Sequence, residues 1–66
     1  MDISLNGQRV DVDAATLQDL LQQRGYEPGA AIACAINQQF VPRAQWAQRT
    51  LNDGDRIDVV SPITGG

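Results

Sequence analysis

The sequence contains neither histidine nor lysine and has a single cysteine, so it lacks the residues that most often perform acid–base, Schiff-base or phosphate-binding chemistry. One cysteine without histidine also falls short of the three or four ligands of a zinc site. The acidic pairs Asp11/Asp13 and Asp53/Asp55 do not continue into the glycine and glutamate of a calcium loop. We therefore expect no catalytic residue, no metal site and no cofactor bound by the chain itself.

The charge balance is acidic, with a formal net charge of −3. This sign opposes binding to a phosphate backbone. No apolar run approaches the roughly 18 residues needed to span a bilayer, and the segment from Met1 to Ser4 lacks the basic-then-apolar order of a signal peptide. We expect neither nucleic acid nor membrane as a partner, and a cytoplasmic location, with which one unpaired cysteine is consistent.

The 66 residues suffice for one small domain. Apolar and polar residues alternate from Ile3 to Leu5 and again from Gln8 to Val12, on either side of Asn6-Gly7. Asparagine followed by glycine is the preferred pair for a two-residue hairpin turn, because both positions need a positive φ. The N-terminal segment is therefore predicted to form a β-hairpin.

The period then changes to that of a helix, since Leu17, Leu20 and Leu21 fall on one helical face. Thr16 is suited to cap the N-terminus through its hydroxyl. Gly25 is predicted to end the helix, because glycine adopts the left-handed conformation without a steric cost.

Three further strands are predicted, at 31–37, at 39–41, where Pro42 ends the strand, and at 56–60. Residues 43–49 carry no clear pattern. The side chains expected to face the core from these strands are Ile32, Cys34, Ile36, Ile57 and Val59.

The three aromatic residues Tyr26, Phe40 and Trp46 are expected to pack in the core, because they are scattered and no basic stripe accompanies them. Cys34 is likewise expected to act as a small buried hydrophobe rather than a reactive thiol.

The order of elements predicts an α+β fold of the ubiquitin-like β-grasp type, a mixed sheet of four to five strands with one main helix packed on one face. This domain is expected to span residues 1–61. Residues 62–66 are expected to form a flexible C-terminal tail, because Pro62 resists strand pairing and Gly65-Gly66 resist ordering.

The terminal glycine pair is the strongest functional signal in the sequence. Two residues without a Cβ make a thin tail that fits a narrow channel and brings the terminal carboxylate to a partner's catalytic centre. A carboxylate becomes an acylating group only when one oxygen is made a good leaving group, for example by coupling to the α-phosphate of ATP. The nucleotide site must then belong to the partner.

Over its whole length the sequence resembles the thiamine-pathway sulfur carriers (ThiS family), which are ubiquitin-like β-grasp proteins. The middle block, from Ala35 to Arg43, is the most specific part of the resemblance. The matching segments are Asn6-Gly7, Thr16 with Leu20-Leu21, Ala35-Ile36-Asn37-Gln38-Gln39, Val41-Pro42-Arg43, Gln45-Trp46-Ala47-Gln48, Asp53-Gly54-Asp55 and Gly65-Gly66.

The resemblance implies that Gly66 is adenylated by an E1-like adenylating enzyme that uses ATP. Sulfur from a cysteine persulfide donor would then convert Gly66 to a thiocarboxylate, which donates sulfur to thiazole synthase. Gly65 and Thr64 would present the end of the tail to these partners. Many members of the family have a smaller residue where this chain has Thr64.

The outward face of the sheet is expected to be a docking surface, with an apolar centre and charged residues at its margin. Its expected members are Ala33, Ala35 and Val60 among Arg9, Arg56 and Asp58. Arg43 is a further candidate, because a guanidinium binds a carboxylate through two hydrogen bonds.

Three other functions fit the sequence less well. A molybdopterin-synthase-type sulfur carrier shares the fold and the tail but usually has a longer chain. A non-catalytic β-grasp module would bind through its sheet face and would not need Gly66. A protein modifier would form isopeptide bonds with lysines of other proteins.

Overall fold

The computed structural model describes residues 1–27 and 29–61. In these ranges the elements are β1 (Asp2–Leu5), β2 (Gln8–Asp11), α1 (Leu17–Gln23), β3 (Ala33–Ile36), β4 (Gln39–Val41), a 3-10 helix (Arg43–Gln45) and β5 (Arg56–Val60). The five strands form one sheet in the order β2-β1-β5-β3-β4. The strands β1 and β5 are parallel, and the other neighbouring pairs are antiparallel. The mixed sheet with one main helix confirms the predicted α+β class.

The N-terminal hairpin turns where the sequence predicts it. Asn6 and Gly7 have φ values of 51° and 80°, and the register pairs Leu5 with Gln8 directly across the turn. Positive φ angles at both residues are typical of a type I′ turn, whose twist matches that of the two strands it connects. The second strand ends at Asp11, one residue before the predicted limit.

The helix begins and ends with the predicted caps. The hydroxyl of Thr16 accepts a hydrogen bond of 3.2 Å from the backbone N–H of Asp19. At the other end Gly25 has a φ of 90°, and the N–H of Tyr26 donates to the carbonyl of Leu21 at 2.9 Å. This bond across the helix end satisfies a carbonyl that the last turn would otherwise leave unpaired.

The third strand is shorter than predicted, because it extends over Ala33–Ile36 instead of 31–37. At its end, Asn37 and Gln38 adopt φ values of 53° and 68° and form the turn into β4. At its start, the N–H of Ile32 donates to the carbonyl of Ala30 at 3.0 Å, a local bond that takes Ile32 out of the strand. Ile32 is partly buried and still packs against the core.

The core lies between α1 and one face of the sheet. Cys34 is 2% exposed and Trp46 is 6% exposed, which confirms both as core residues, and Tyr26 is partly buried against them. The fully enclosed aliphatic side chains include Ile3, Leu17, Leu20, Ile36 and Ile57, and Val59 packs against them partly buried.

Phe40 is the exception among the aromatic residues, and its predicted burial is wrong. Its side chain is 68% exposed. Successive side chains of a strand point to opposite faces, and on β4 the buried position belongs to Val41. Phe40 therefore projects from the face of the sheet that α1 does not cover.

Candidate functional site

The candidate site begins where β5 ends. This strand lies at the centre of the sheet, between β1 and β3, and leads through the exposed Ser61 into the C-terminal tail. The residues predicted to carry the chemistry and to present it, Gly66, Gly65 and Thr64, lie outside the described residues. The described part of the site therefore consists of β5, which precedes the tail, and of the surface around this strand.

The beginning of β5 is held by a buried aspartate. Asp55 is 6% exposed, and its carboxylate accepts one hydrogen bond from the Asn37 amide at 3.1 Å and another from the Asn52 N–H at 2.8 Å. The side-chain oxygen of Asn37 also accepts from the N–H of Arg56 at 3.0 Å. These bonds connect the β3–β4 turn to the first residue of β5.

The other end of β5 is held by the first hairpin. The backbone N–H of Asn6 donates to the carbonyl of Ile57 at 2.9 Å, and the N–H of Val59 donates to the side-chain oxygen of Asn6 at 2.7 Å. One residue from the hairpin turn is therefore bonded to β5 through both its backbone and its side chain.

The outward face of the sheet is apolar near the tail. The register places Ala35 between Phe40 on β4 and Asp58 on β5, and places Ala33 opposite Val60. Phe40 and Val60 are 68% and 61% exposed. We call Ala33, Ala35, Phe40 and Val60 the tail-side patch. The sequence predicts three of its members but not Phe40, because Phe40 and Val41 are both apolar and a strand of three residues does not show which of them faces the core.

Charged residues lie toward the opposite end of the same face. Ser4 on β1 pairs with Arg9 on β2 and with Arg56 at the start of β5. Arg56 forms an ion pair of 3.7 Å with Asp58, and Arg9 forms one of 3.8 Å with Asp2. These exposed pairs contribute little to stability. Arg56 is about 13 Å along the strand from the last residue of β5, so the face is apolar at the tail end and charged at the far end.

Arg43 does not lie on this face. Its guanidinium is 4.6 Å from the centre of the Trp46 ring and donates a hydrogen bond to the carbonyl of Ala30. It borders a cavity of about 110 Å³ on the helix side of the sheet, which Leu21 and Ile32 also line. The structure thus places the other four docking candidates on one face of the sheet, with Arg56 at the far end from Val60, and separates Arg43 from them.

Cys34 is placed where a thiol is unreactive. Burial raises the pKa of its thiol, and the positive charge of Arg43 opposes this shift only in part. Because the thiolate is the reactive form, the buried thiol is unsuited to carry sulfur.

The segments that the structure describes contain no group of three or more His, Cys, Asp or Glu side chains placed to hold a metal ion. Their helices are also too short and too polar to cross a membrane.

Comparison with known proteins gives the family. The model of the ThiS family matches residues 3–66, nearly the whole chain. The chain belongs to the ThiS family. Sulfur carrier protein ThiS of Escherichia coli is 45% identical over 67 residues, and the match covers 100% of both chains. Membership of this family confirms the prediction of a small carrier that is not a catalyst.

A second relative of this ThiS-family chain is much longer. A thiazole synthase of Paramagnetospirillum magneticum is 33% identical over 67 residues, a match that covers 100% of this chain and 20% of that protein.

Solved structures confirm the fold. The crystal structure of the thiamine biosynthesis protein ThiS of Geobacter metallireducens matches with a TM-score of 0.84 at 23% identity, over 100% of both chains. The solution structure of a thiamine biosynthesis protein from the same organism matches with a TM-score of 0.80 at 23% identity, over 100% of this chain and 88% of that one. The predicted ubiquitin-like β-grasp fold is therefore confirmed.

Proposed function

We propose that this ThiS-family chain carries sulfur for thiamine biosynthesis as a thiocarboxylate on Gly66, and donates it for formation of the thiazole ring. Its role as a sulfur carrier in thiamine biosynthesis follows from the family and from the full-length match to sulfur carrier protein ThiS. The observation that supports the finer proposal is the central position of β5. This strand is anchored at both ends, and its last residue, Val60, lies five positions before Gly65 in the sequence.

The proposed chemistry starts from a carboxylate that does not react by itself. One oxygen of the Gly66 carboxylate attacks the α-phosphorus of ATP, pyrophosphate leaves, and an acyl-adenylate forms. The terminal sulfur of a cysteine persulfide attacks the acyl carbon, and AMP leaves. A thiol then attacks the remaining S–S bond, so that a new disulfide forms and the thiocarboxylate is released on Gly66.

The partners supply the catalytic groups in this scheme. With no histidine or lysine in the chain, ATP is held by an E1-like adenylating enzyme, and a cysteine persulfide donor supplies the sulfur. The match of this chain to one fifth of a protein named thiazole synthase supports thiazole synthase as the acceptor. We place these encounters in the cytoplasm.

The adenylating enzyme docks, in this proposal, on the tail-side patch together with Arg56. Val60 is both a member of the patch and the last residue of β5, so a protein that receives the tail also covers the patch. Exposed aromatic and aliphatic side chains beside charged ones are the usual composition of such a contact. Gly65 and Thr64 then extend into the partner's channel, and Arg43 offers a separate contact on the helix side.

The test is mass spectrometry with fragmentation of the C-terminus, before and after incubation with ATP, the adenylating enzyme and a persulfide donor. We expect replacement of one oxygen by sulfur in the fragment that ends at Gly66, only when ATP is present. Fragmentation is necessary because oxidation of Met1 or Cys34 changes the intact mass almost as much.

The control is a chain that lacks Gly66. An unmodified tail in the presence of demonstrably active partners would overturn the proposal, as would equal modification of the shortened chain. Incubation of the product with thiazole synthase or with molybdopterin synthase then identifies the acceptor. A third outcome is that the shortened chain still binds the adenylating enzyme while the full chain is never modified. This outcome would indicate a binding module instead of a carrier.

A further inference from the structure

The parallel pairing of β1 with β5 stops before β5 ends. The N–H of Ser4 donates to the carbonyl of Asp55, and the N–H of Asn6 donates to the carbonyl of Ile57, both at 2.9 Å. The backbone polar groups of alternate residues, Asp55 and Ile57, thus point toward β1. Val59 is the next residue in this series. The chain reverses at Asn6 and Gly7, so β1 provides no further residue alongside Val59.

The side chain of Asn6 takes the place of the missing strand residue. In a continued parallel ladder the N–H of Val59 would donate to a backbone carbonyl at position 6. It donates instead to the side-chain oxygen of Asn6, at 2.7 Å. The ladder is thereby extended to the residue that precedes Val60, the last residue of β5.

We infer that Asn6 is a positioning residue that fixes the point and direction in which the C-terminal tail leaves the sheet. This inference rests on the proposed function, since the tail matters only if a partner receives it. A tail whose base is already ordered loses less conformational freedom when it enters a channel than one whose strand end is frayed. Asn6 therefore favours binding of the adenylating enzyme without contacting the reacting atoms.

Asn6 also occupies a turn position with a φ of 51°, so the test must separate its two roles. The variant Asn6→Gly keeps the positive φ, because glycine adopts it freely, but removes the acceptor. The variant Asn6→Asp keeps an oxygen in the same place and a residue that tolerates this conformation. We expect Asn6→Asp to rescue what Asn6→Gly loses.

Asn37 offers a matched control. It also has a positive φ, of 53°, lies in a two-residue turn and accepts a hydrogen bond from a β5 backbone N–H, but at Arg56, at the opposite end of the strand. It donates in addition to the buried Asp55. Asn37→Gly therefore weakens the fold at least as much as Asn6→Gly, while the bond at Val59 remains.

The first measurement is native-state amide hydrogen exchange, read at Val59 relative to the slowest amides of the same protein. No residue next to Val59 changes in these variants, so its intrinsic exchange rate is unaltered. We expect exchange at Val59 to be about five- to ten-fold faster in Asn6→Gly, which corresponds to the loss of one hydrogen bond. Asn37→Gly and Asn6→Asp should leave the relative rate within about two-fold of the wild-type value.

The second measurement is steady-state pyrophosphate release by the adenylating enzyme, with each variant as co-substrate and with the persulfide donor and a thiol present to consume the acyl-adenylate. We expect Asn6→Gly to raise KM about three-fold or more with kcat unchanged, because binding is weakened but the reacting carboxylate is the same. Asn6→Asp and Asn37→Gly should keep the wild-type KM.

An unchanged KM for Asn6→Gly would overturn the inference, because Asn6 would then have no effect on binding. An equal rise in KM for Asn37→Gly would also overturn it, because the rise would then reflect only the lower stability of the fold. If the wild-type chain supports no pyrophosphate release, the proposed function fails. In that case the exchange rate at Val59 alone decides whether Asn6 fixes the end of β5.

Discussion

The amide of Asn37 donates to the carboxylate of Asp55 across 3.1 Å, and this bond joins the β3–β4 turn to the turn that precedes β5. Asp55 is the one buried charged residue in the described part of the chain, and both of its carboxylate oxygens are hydrogen bonded. The pair therefore fixes the start of the strand whose other end carries the tail.

Replacement of this aspartate is predicted to destabilise the fold. Asp55→Ala leaves the Asn37 amide and the Asn52 N–H without their acceptor, and we expect a loss of about 2–3 kcal/mol in the free energy of unfolding. Urea denaturation measures it. Asp13 is exposed, so the control Asp13→Ala should change stability by less than about 0.5 kcal/mol. Equal losses in the two variants would contradict the role of the buried carboxylate.

Phe40 is predicted to matter for binding and not for folding. Because its side chain is 68% exposed, Phe40→Thr should change the free energy of unfolding by less than about 0.5 kcal/mol. The same variant should raise the KM of the adenylating enzyme for the chain about three- to ten-fold, since an exposed aromatic contact is lost. The control is Gln39→Thr, on the same strand but the opposite face. A KM that Phe40→Thr leaves unchanged would exclude Phe40 from the docking surface.

Cys34 is predicted to be dispensable for sulfur transfer. Cys34→Ala removes a buried sulfur atom and should cost about 1 kcal/mol of stability, but the thiocarboxylate should still form on Gly66. In the wild-type protein a thiol reagent should modify Cys34 slowly, and rapidly once urea unfolds the chain, because burial raises the pKa of the thiol. Loss of thiocarboxylate formation in a folded Cys34→Ala protein would contradict this assignment.

The amino group of Met1 is predicted to make stability depend on pH. It is 3.2 Å from the carboxylate of Asp11, and this hydrogen bond raises the pKa of the amino group above its usual value of 8.0. A raised pKa in the folded state favours folding while the group is charged. The contribution is therefore complete below pH 8 and is lost as the pH rises through the folded-state pKa.

Urea midpoints measured at several pH values from 6 upward test this prediction, with Asp11→Asn as the control. Ionisation of Cys34 in the unfolded state also lowers stability at high pH, but it does so equally in both proteins. The difference between wild type and Asp11→Asn should therefore shrink as the pH rises. A difference that is constant with pH would show that the ion pair does not stabilise the fold.

The parts of the fold that depend on local chemistry could be predicted from the sequence. Asn6-Gly7 specifies its own turn, the Thr16 hydroxyl caps α1, and Gly25 ends it, because each effect needs only a few neighbouring residues. The spacing of Leu17, Leu20 and Leu21 likewise identifies the buried face of the helix before any partner is known.

The structure places Asn37 and Gln38 in the turn into β4, whereas the sequence predicts that Asn37 still belongs to the third strand. The signal for this turn is weaker than that of Asn6-Gly7, because its second residue is Gln38 and not glycine. Its positive φ angles are maintained by distant bonds from Asn37 to Asp55 and Arg56. The exposure of Phe40 was missed for a similar reason, since three residues of β4 are too few to show which face is covered.

The sequence by itself determined the β-grasp order of elements, the acidic character of the chain and the glycine pair at its end, because these depend on composition, periodicity and local backbone preference. Only the tertiary structure decided that Phe40 belongs to the surface beside the tail and that Arg43 does not. Strand register brings Phe40 and Val60 to one face, the 3-10 helix and Trp46 hold Arg43 on the other, and Asn6 bonds to a strand more than fifty residues away. Such contacts arise from packing between distant segments, which no local pattern encodes.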